Sequence, residues 1–341
     1  MNQVKGISDF LNQANTQFKI FDMGRRIKEI DKSTFLSFEQ GETPYPLPLQ
    51  QQAWLGFLVW TEDKKSELVI WFLRFPLDAA GRLTSGIRDD FVIRLLNKEG
   101  SETPQQDESN PYGFKPKQEH MASFHAKASK QLGQPASSYY EHAKDYFAGL
   151  PGYDQWAFVG FQGIADIACR LDEENNAALI ADAIEKIPPQ PFEALAQCLE
   201  HENINADLSQ GIVNVINREL EKTDTDANLI SLCIRALSDS QDETQLELTL
   251  NKILCTDTGS HPEVLASISG RCWLALKNDK TINLFLEALS NCSEGQEFFN
   301  LVIVDLINIP GMQESILKAV KSSNRSEKLS KAIGELFKSF T

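Results

Sequence analysis

Residues 226–254 read DANLISLCIRALSDSQDETQLELTLNKIL. Their pattern predicts the fold of the larger part of the chain. The stretch holds two amphipathic segments of helical periodicity on either side of the polar turn Leu237-Ser238-Asp239. Similar helix pairs begin at steps of 36, 36, 36 and 34 residues, near Asp154, Gln190, Asp226, Pro262 and Gln296. A fixed period of this size is typical of helical repeats, whose single units cannot bury their apolar faces alone.

This period predicts the fold class of the larger part of the chain. We predict a mostly α protein in which residues 153–341 form an α-helical solenoid of about five two-helix, HEAT-like repeats. Residues 325–340 are its predicted C-terminal capping helix, because apolar side chains occupy one face and lysines the other. The segment Phe298–Ile309 is apolar almost all round and rich in β-branched residues, so its pattern also allows a strand. Its place in the period favours a buried helix.

Three helix starts in this region carry the pattern of a capping box. In this motif a hydroxyl group and a carboxylate or amide three residues later satisfy backbone N–H groups that have no helical partner. The three pairs are Ser240…Glu243, Ser260…Glu263 and Ser293…Gln296. We therefore predict helix starts at these serines.

Residues 1–150 do not repeat and predict a small α+β domain. Gln17–Asp22 alternates polar and apolar residues, as a half-buried strand does. Trp54–Thr61 and Glu67–Phe75 are apolar, aromatic and β-branched runs with a polar stretch between them, which predicts a β-hairpin within the sheet. Residues 97–118 are rich in Gly, Ser, Pro, acid and amide residues and predict a long loop. A domain boundary is expected at Gly149-Leu150-Pro151-Gly152.

The charge of the chain is concentrated in the predicted repeats. Residues 1–150 are nearly neutral, residues 151–311 carry 9 Lys/Arg against 26 Asp/Glu, and the last 30 residues have a net charge of +3. An acidic surface repels phosphate, so we expect no nucleic-acid partner. The acidity favours either solubility alone or an acidic face for a protein partner with a basic surface.

The chain shows no pattern of membrane insertion or secretion. Its longest apolar runs, Ala53–Trp60 and Leu68–Leu73, are far shorter than the roughly 20 residues that span a bilayer. The first ten residues lack a basic segment followed by an apolar one, so no signal peptide is predicted. A cytoplasmic location is the expectation, and the sequence leaves the oligomeric state open.

All six cysteines fall in the predicted helical region. They are Cys169, Cys198, Cys233, Cys255, Cys272 and Cys292. No C-x-x-C pair and no zinc-binding spacing occurs among them. Four of the six lie near the ends of first helices, which favours buried thiols in equivalent packing positions over disulfides.

The chain contains no catalytic motif. G-x-x-x-x-G-K-[ST], H-E-x-x-H and G-x-S-x-G are all absent from the sequence, and we predict no catalytic residue, metal site or cofactor. His120 and His125 are about 140° apart around a helix, so they cannot easily share a metal ion. Gly160 and Gly163 allow either close approach to a ligand or close helix packing, and packing is favoured.

One short motif predicts binding chemistry. Phe21-Asp22-Met23-Gly24-Arg25-Arg26 places two arginines after a glycine turn at a strand end, where they could grip a phosphate or carboxylate in bidentate fashion. Alternatively, one arginine pairs with Asp22 or Glu29 and the other faces solvent. Asp22, Arg25 and Arg26 are the candidate binding residues of this chain.

The sequence also resembles a known bacterial family. The resemblance rests on the opening Ile-Ser-Asp-Phe-Leu, on Phe-Lys-Ile-Phe-Asp-Met-Gly-Arg-Arg, on Trp-Leu-Gly-Phe and on the later Leu-Asp-Glu, and it extends over essentially the whole chain. These motifs are similar to those of domain-of-unknown-function family 3549. The family has no assigned activity, so the resemblance implies no functional residue. The second half separately resembles HEAT-like arrays, in period and helix pairing alone.

Two functions follow as hypotheses. The first is a non-enzymatic protein–protein interaction scaffold that uses the acidic helical-repeat surface, since solenoids offer extended binding faces. The alternative is an enzyme or small-anion-binding protein with a site at the junction of the N-terminal domain and the first repeat, involving Arg25 and Arg26.

Overall fold

The structure, a computed structural model, describes residues 4–14, 16–61, 68–97 and 110–339. Sixteen α-helices and four β-strands lie within these ranges. The chain divides into two compact units, which are Met1–His120 with Ile307–Pro310, and Met121–Leu306 with Gly311–Thr341. The boundary expected at residues 149–152 therefore falls inside the second unit.

The first unit is built on a four-stranded antiparallel sheet with the strand order β2-β1-β3-β4. The strands are β1 (Gln17–Asp22), β2 (Lys28–Ile30), β3 (Gln52–Trp60) and β4 (Val69–Pro76). The predicted strand and the predicted hairpin are both confirmed, with Leu55 opposite Leu73 and Phe57 opposite Trp71. Strand β2 was not predicted, because three residues are too few to show an alternating pattern.

Three helices complete the first unit around an aromatic core. They are α1 (Ile7–Gln13), α2 (Lys32–Glu39) and α3 (Ser85–Asn97). Phe35 of α2 packs edge-on against Phe57 of the sheet, and Phe91 of α3 packs edge-on against Phe75. Such ring pairs add to the stabilisation that comes from burial alone.

The predicted long loop, residues 97–118, is described only in part, because residues 98–109 lie outside the described ranges. Its last part runs beside β4. Arg74 donates its backbone N–H to the Tyr112 carbonyl at 2.7 Å, and Phe114 donates to the Phe72 carbonyl at 3.1 Å. The Phe114 ring then packs edge-on against Trp54. This end of the loop is therefore part of the folded sheet layer.

The second unit is entirely helical within the described residues. Its earlier helices are α4 (Gln118–Gln131, which starts in the first unit), α5 (Tyr140–Phe147), α6 (Phe161–Cys169), α7 (Asn176–Ala183), α8 (Pro189–Leu199), α9 (Ala206–Leu220) and α10 (Ala227–Leu237). Its later helices are α11 (Glu243–Leu254), α12 (Pro262–Arg271), α13 (Asp279–Ser290), α14 (Gly295–Ile307), α15 (Gln313–Val320) and α16 (Glu327–Lys338). The ambiguous segment 298–309 is thus mainly helical, and the predicted helix at 325–340 is present as α16.

Helices in this unit pack on the helix two places further along the chain. Helix α8 packs against α6 and α10, α10 packs against α12, and α7 packs against α9. Several contacts join residues 36 apart. Ser231 and Ser267 share a hydrogen bond of 2.7 Å, and the Tyr140 hydroxyl lies 2.9 Å from the Asn176 side-chain nitrogen.

The helix starts differ from the predicted capping boxes. Helix α11 is capped by Asp242, which accepts a hydrogen bond from the Gln245 backbone at 2.8 Å, and Ser240 instead bonds the Ser209 hydroxyl at 2.7 Å. Helix α12 is capped by His261. For these two helices the predicted serine caps are wrong, because aspartate and histidine side chains nearer the helix start accept these N–H groups. The third predicted box, Ser293…Gln296, stays a prediction.

The packing explanation of Gly163 is confirmed. A Cβ atom at this position would lie 2.5 Å from the backbone oxygen of Tyr139 and 3.1 Å from the Cβ of Ala143. Helices α5 and α6 therefore approach too closely here for any side chain.

Candidate functional site

The predicted motif at the end of β1 forms a turn around a buried carboxylate. Asp22 is fully buried, and one of its carboxylate oxygens accepts the backbone N–H groups of Arg25 and Arg26, both at 3.0 Å. Its other oxygen accepts the Tyr45 hydroxyl at 2.6 Å. Tyr45 also lies 3.1 Å from the Trp54 carbonyl. Asp22 thus holds the turn closed.

Both arginines of the motif are buried in the first unit. The exposed fraction is 0% for Arg25 and 4% for Arg26, so neither side chain faces solvent as the alternative explanation expected. Arg25 donates its Nε–H to the Pro48 carbonyl at 2.7 Å. Glu29, the other expected partner, forms an ion pair of 2.9 Å with Lys19. The structure therefore brings Asp22, Arg25 and Arg26 together, and their binding of an anion remains a prediction.

Burial dominates the electrostatics of this turn. It raises the pKa of Asp22 to about 6, although Tyr45, the backbone N–H groups and Arg25 act in the opposite direction. The pKa of Tyr45 is raised well above its usual value, by burial first and then by the Asp22 charge. Both shifts arise because a charged form is costly without water.

A second buried carboxylate lies in the second unit. Glu200 directly follows α8, and its side chain is 1% exposed. It forms ion pairs with Arg235 of α10 and with Arg271 of α12, the latter at 3.2 Å, and His201 lies 3.5 Å away. Burial would raise the pKa of Glu200, but Arg271, His201 and Arg235 together lower it well below its usual range. One carboxylate thereby connects α8 with two later helices.

Two lysines of α4 bind the ends of other helices in the second unit. Lys127 donates to the His201 carbonyl at 2.7 Å and pairs with the Glu202 carboxylate at 3.0 Å. Lys130, three residues later on α4, donates to the Cys169 carbonyl at 3.0 Å. Cations at helix C-termini satisfy carbonyl groups and complement the helix dipole. These contacts fix α4 across the ends of α6 and α8.

The thiols near the ends of first helices are buried, as predicted. Cys169, Cys198, Cys233 and Cys272 are all inaccessible to solvent, whereas Cys255 is exposed. Burial raises the pKa of the Cys169 thiol to about 12. A thiol held in its protonated form is a poor nucleophile and a poor metal ligand, so its function here is packing.

A cleft opens beside α5 in the second unit. It has a volume of about 540 Å³. Helix α5 contributes His142, Asp145 and Tyr146 to its lining, and the segment after the helix contributes Leu150 and Phe158. The exposed fraction is 74% for Leu150 and 83% for Phe158. The sequence predicts a domain boundary here from its glycines and proline. It does not reveal that the apolar residues of this stretch are exposed.

The segment that lines this cleft is firmly anchored. Tyr146 is buried, and its hydroxyl donates to the Tyr153 carbonyl at 2.9 Å while the two rings pack edge-on. Gly149 and Gly152 have φ values of 75° and 87°, a conformation that other residues rarely adopt. The turn that presents Leu150 is therefore built into the local sequence.

The comparison with protein families decides the classification of the chain. The model of the family described as "Protein of unknown function (DUF3549)" matches residues 2–337. The chain belongs to this family. No curated protein and no solved structure shows significant similarity to this DUF3549 chain. Among its described residues, no helix is both long and apolar enough to cross a membrane.

Proposed function

We propose that this chain is a non-enzymatic protein–protein interaction scaffold whose second unit binds a partner with a basic surface. The supporting observation is the exposure of its acidic residues. Between residues 151 and 311, all of which are described, 17 of the 26 Asp/Glu side chains are exposed, against 6 of the 9 Lys/Arg side chains. This surface attracts cationic partners and repels phosphate.

The architecture proposed for this surface is a solenoid of two-helix, HEAT-like repeats. The packing of several helices on the helix two places further along supports it. So do contacts between residues 36 apart, because they match the period of the sequence. Ile204 and Ser240, also 36 apart, form a parallel bridge between two turns. Such arrays present extended surfaces that suit binding better than catalysis.

Polar side chains also bond between neighbouring second helices. Gln245 of α11 donates to Gln210 of α9 at 2.6 Å, and Lys252 donates to Asn217 at 2.6 Å, each across 35 residues. These bonds hold the outer side chains in a regular arrangement. A partner would therefore meet polar side chains that are already ordered between the acidic ones, which lowers the entropy cost of binding.

The turn between α9 and α10 is a suitable place to test the proposal. Glu221 and Asp224 are both exposed there, and neither carboxylate has a hydrogen bond or ion pair in the described structure. Reversing their charge should leave packing intact, because surface substitutions of this kind change stability by about 0.5 kcal/mol or less.

The experiment is quantitative capture of partners from the source cell with the full chain. We expect the partner to be lost from the Glu221→Lys/Asp224→Lys variant and to be released as salt is raised, since exposed charges are screened. The matched control is Glu314→Lys/Glu327→Lys, which changes the net charge equally within the basic last 30 residues. Capture that is equal for both variants and insensitive to salt would contradict the proposal.

A further inference from the structure

Exposed apolar side chains border the cleft beside α5, and we call them the apolar strip. Phe158 and Leu150 form its most exposed part, and the neighbouring Trp156 is 36% exposed. The strip continues past Gly160, where a Cβ atom would lie 3.5 Å from the half-exposed ring of Tyr139. Contiguous exposed apolar side chains around a cleft mark an interaction site more often than scattered ones do.

The charges around this strip are acidic. Glu141 and Asp145 on α5 and Asp154 in the following segment are all exposed. The nearby Lys144 is partly buried and forms an ion pair with Glu174. The strip is therefore apolar at its centre and negative at its rim, which is the usual anatomy of a protein-binding site.

The geometry points to a specific ligand for this cleft. We propose that the cleft binds a linear peptide segment of a partner protein, in which one large apolar side chain is flanked by Lys or Arg. The apolar side chain would enter between Leu150 and Phe158, and the cationic side chains would face Asp145 and Asp154. This inference rests on the proposed interaction function and names one site at which it acts.

Charge favours this ligand over two others. A second copy of the chain would bring equally acidic rims together in a symmetric contact, and like charges across an interface are repulsive. A membrane surface is anionic at its headgroups and would also be repelled by Glu141, Asp145 and Asp154. A basic, apolar peptide meets both features of the site at once.

The cleft is prepared for binding before the ligand arrives. His142, Asp145 and Tyr146 are spaced three and four residues apart, so they share one face of α5. The opposite wall is held by the Tyr146–Tyr153 hydrogen bond and by the two glycines of the turn. A site fixed in this way loses little conformational entropy on binding.

Selection from a phage library of random 12-residue peptides on the full chain tests the proposal. We expect the enriched peptides to carry Leu, Phe or Trp beside Lys or Arg. A synthetic peptide of the enriched sequence is then measured by fluorescence anisotropy. Its affinity should fall about tenfold or more for Leu150→Ala/Phe158→Ala, and similarly for Asp145→Lys/Asp154→Lys, because a few central residues dominate such sites.

The matched control replaces two other exposed leucines of the second unit. Leu248 is 62% exposed on α11 and Leu301 is 63% exposed on α14, so Leu248→Ala/Leu301→Ala should change affinity by less than about twofold. Thermal unfolding of every variant checks that the fold is retained.

Several results would overturn the proposal. These are no enriched peptide, enrichment of acidic peptides, equal binding to wild type and Leu150→Ala/Phe158→Ala, or self-association of the chain that this variant abolishes. If one of these outcomes occurs while Glu221→Lys/Asp224→Lys still loses the cellular partner, only the inference about the cleft is wrong. If charge reversal also has no effect, the proposed function is wrong as well.

Discussion

Two buried carboxylates of this protein, Asp22 and Glu200, are held in opposite ways. Asp22 in the first unit is closed in by its own turn and by Tyr45, all within 23 residues of sequence. Glu200 in the second unit is held by arginines that lie 35 and 71 residues further along the chain. The pKa of Asp22 is raised and that of Glu200 is lowered. Burial alone therefore does not set the charge state, and the number of cations within reach decides it.

The contrast also describes how each unit is stabilised. In the first unit the polar partners of Asp22 lie within 23 residues of it, beside an aromatic core. In the second unit polar groups connect helices through residues that lie 35 to 71 positions apart. We therefore expect the second unit to lose most stability when a connection between helices is broken.

The largest effect is expected at Glu200. Glu200→Gln leaves Arg235 and Arg271 without their carboxylate. Breaking a buried ion pair typically costs about 3–5 kcal/mol. We expect a loss of about 3 kcal/mol here, because both arginines are partly exposed. Chemical denaturation at pH 7 measures the free energy of unfolding. Glu221→Gln, at an exposed carboxylate of the same unit, is the control and should change it by less than about 0.5 kcal/mol.

The sign of the pH dependence follows from the lowered pKa of Glu200. Its contribution to stability is present above the unfolded pKa of about 4.3 and is lost as pH falls below that value. The free energy of unfolding of the Glu200→Gln variant should therefore fall less than that of wild type as the pH is lowered. An unchanged difference between wild type and variant from pH 7 down to pH 3 would contradict this explanation.

Asp22 should show the opposite dependence on pH. Its folded pKa of about 6 exceeds the unfolded value, so its contribution is fully present below about pH 4 and is lost as pH rises through 6. Wild type should therefore gain up to about 3 kcal/mol relative to Asp22→Asn between pH 7 and pH 4. Denaturation curves of both proteins at each pH measure this difference. A constant difference would show that Asp22 keeps an ordinary pKa.

A smaller loss is expected where α5 and α6 touch. Gly163→Ala places a methyl group 2.5 Å from the Tyr139 backbone oxygen, so the helices must separate, at a cost of about 1–3 kcal/mol. The control is Gly270→Ala in α12, where nothing outside the local helix backbone and the two neighbouring residues lies within 4 Å of the new Cβ. It should stabilise the protein by about 0.5–1 kcal/mol. Equal melting temperatures for the two variants would refute the close approach.

The smallest effect concerns the hydrogen bond between Ser231 and Ser267, which lie 36 residues apart. Ser231→Ala leaves the buried hydroxyl of Ser267 without its 2.7 Å partner and should cost about 1 kcal/mol. Ser231→Ala/Ser267→Ala removes both groups and should recover most of this loss. Additive losses in the double variant would mean that the two hydroxyls do not depend on each other.

Local patterns in the sequence predicted much of this fold. Helical periodicity predicted that the second half is helical, alternation located β1, and helix-end positions identified the buried cysteines. The motif at Asp22, Arg25 and Arg26 could be recognised in the sequence because its residues lie within five positions. Contacts between residues that lie far apart in the chain could not be recognised in this way. Nothing near Glu200 indicates two arginines so far away, and nothing near Glu39 indicates that its buried carboxylate accepts the Ser8 backbone N–H at 3.2 Å.

The candidate cleft was missed for a related reason. Leu150 and Phe158 have the composition of core residues, and only the three-dimensional structure reveals that they remain exposed beside acidic side chains. Gly149 and Gly152 were the available signal, since they predict a sharp turn that presents the residues between them. Whether an apolar side chain is exposed is determined by the tertiary structure around it and not by the residues next to it in the sequence.

The proposed function requires that the acidic surface of the second unit binds a basic protein partner. Its most direct test is the affinity of the purified partner for the full chain, measured at several salt concentrations with wild type and Glu221→Lys/Asp224→Lys. We predict that affinity falls as salt rises for wild type, and that the variant binds more weakly with a smaller salt dependence. An affinity that is unchanged by salt and by charge reversal would contradict the claim.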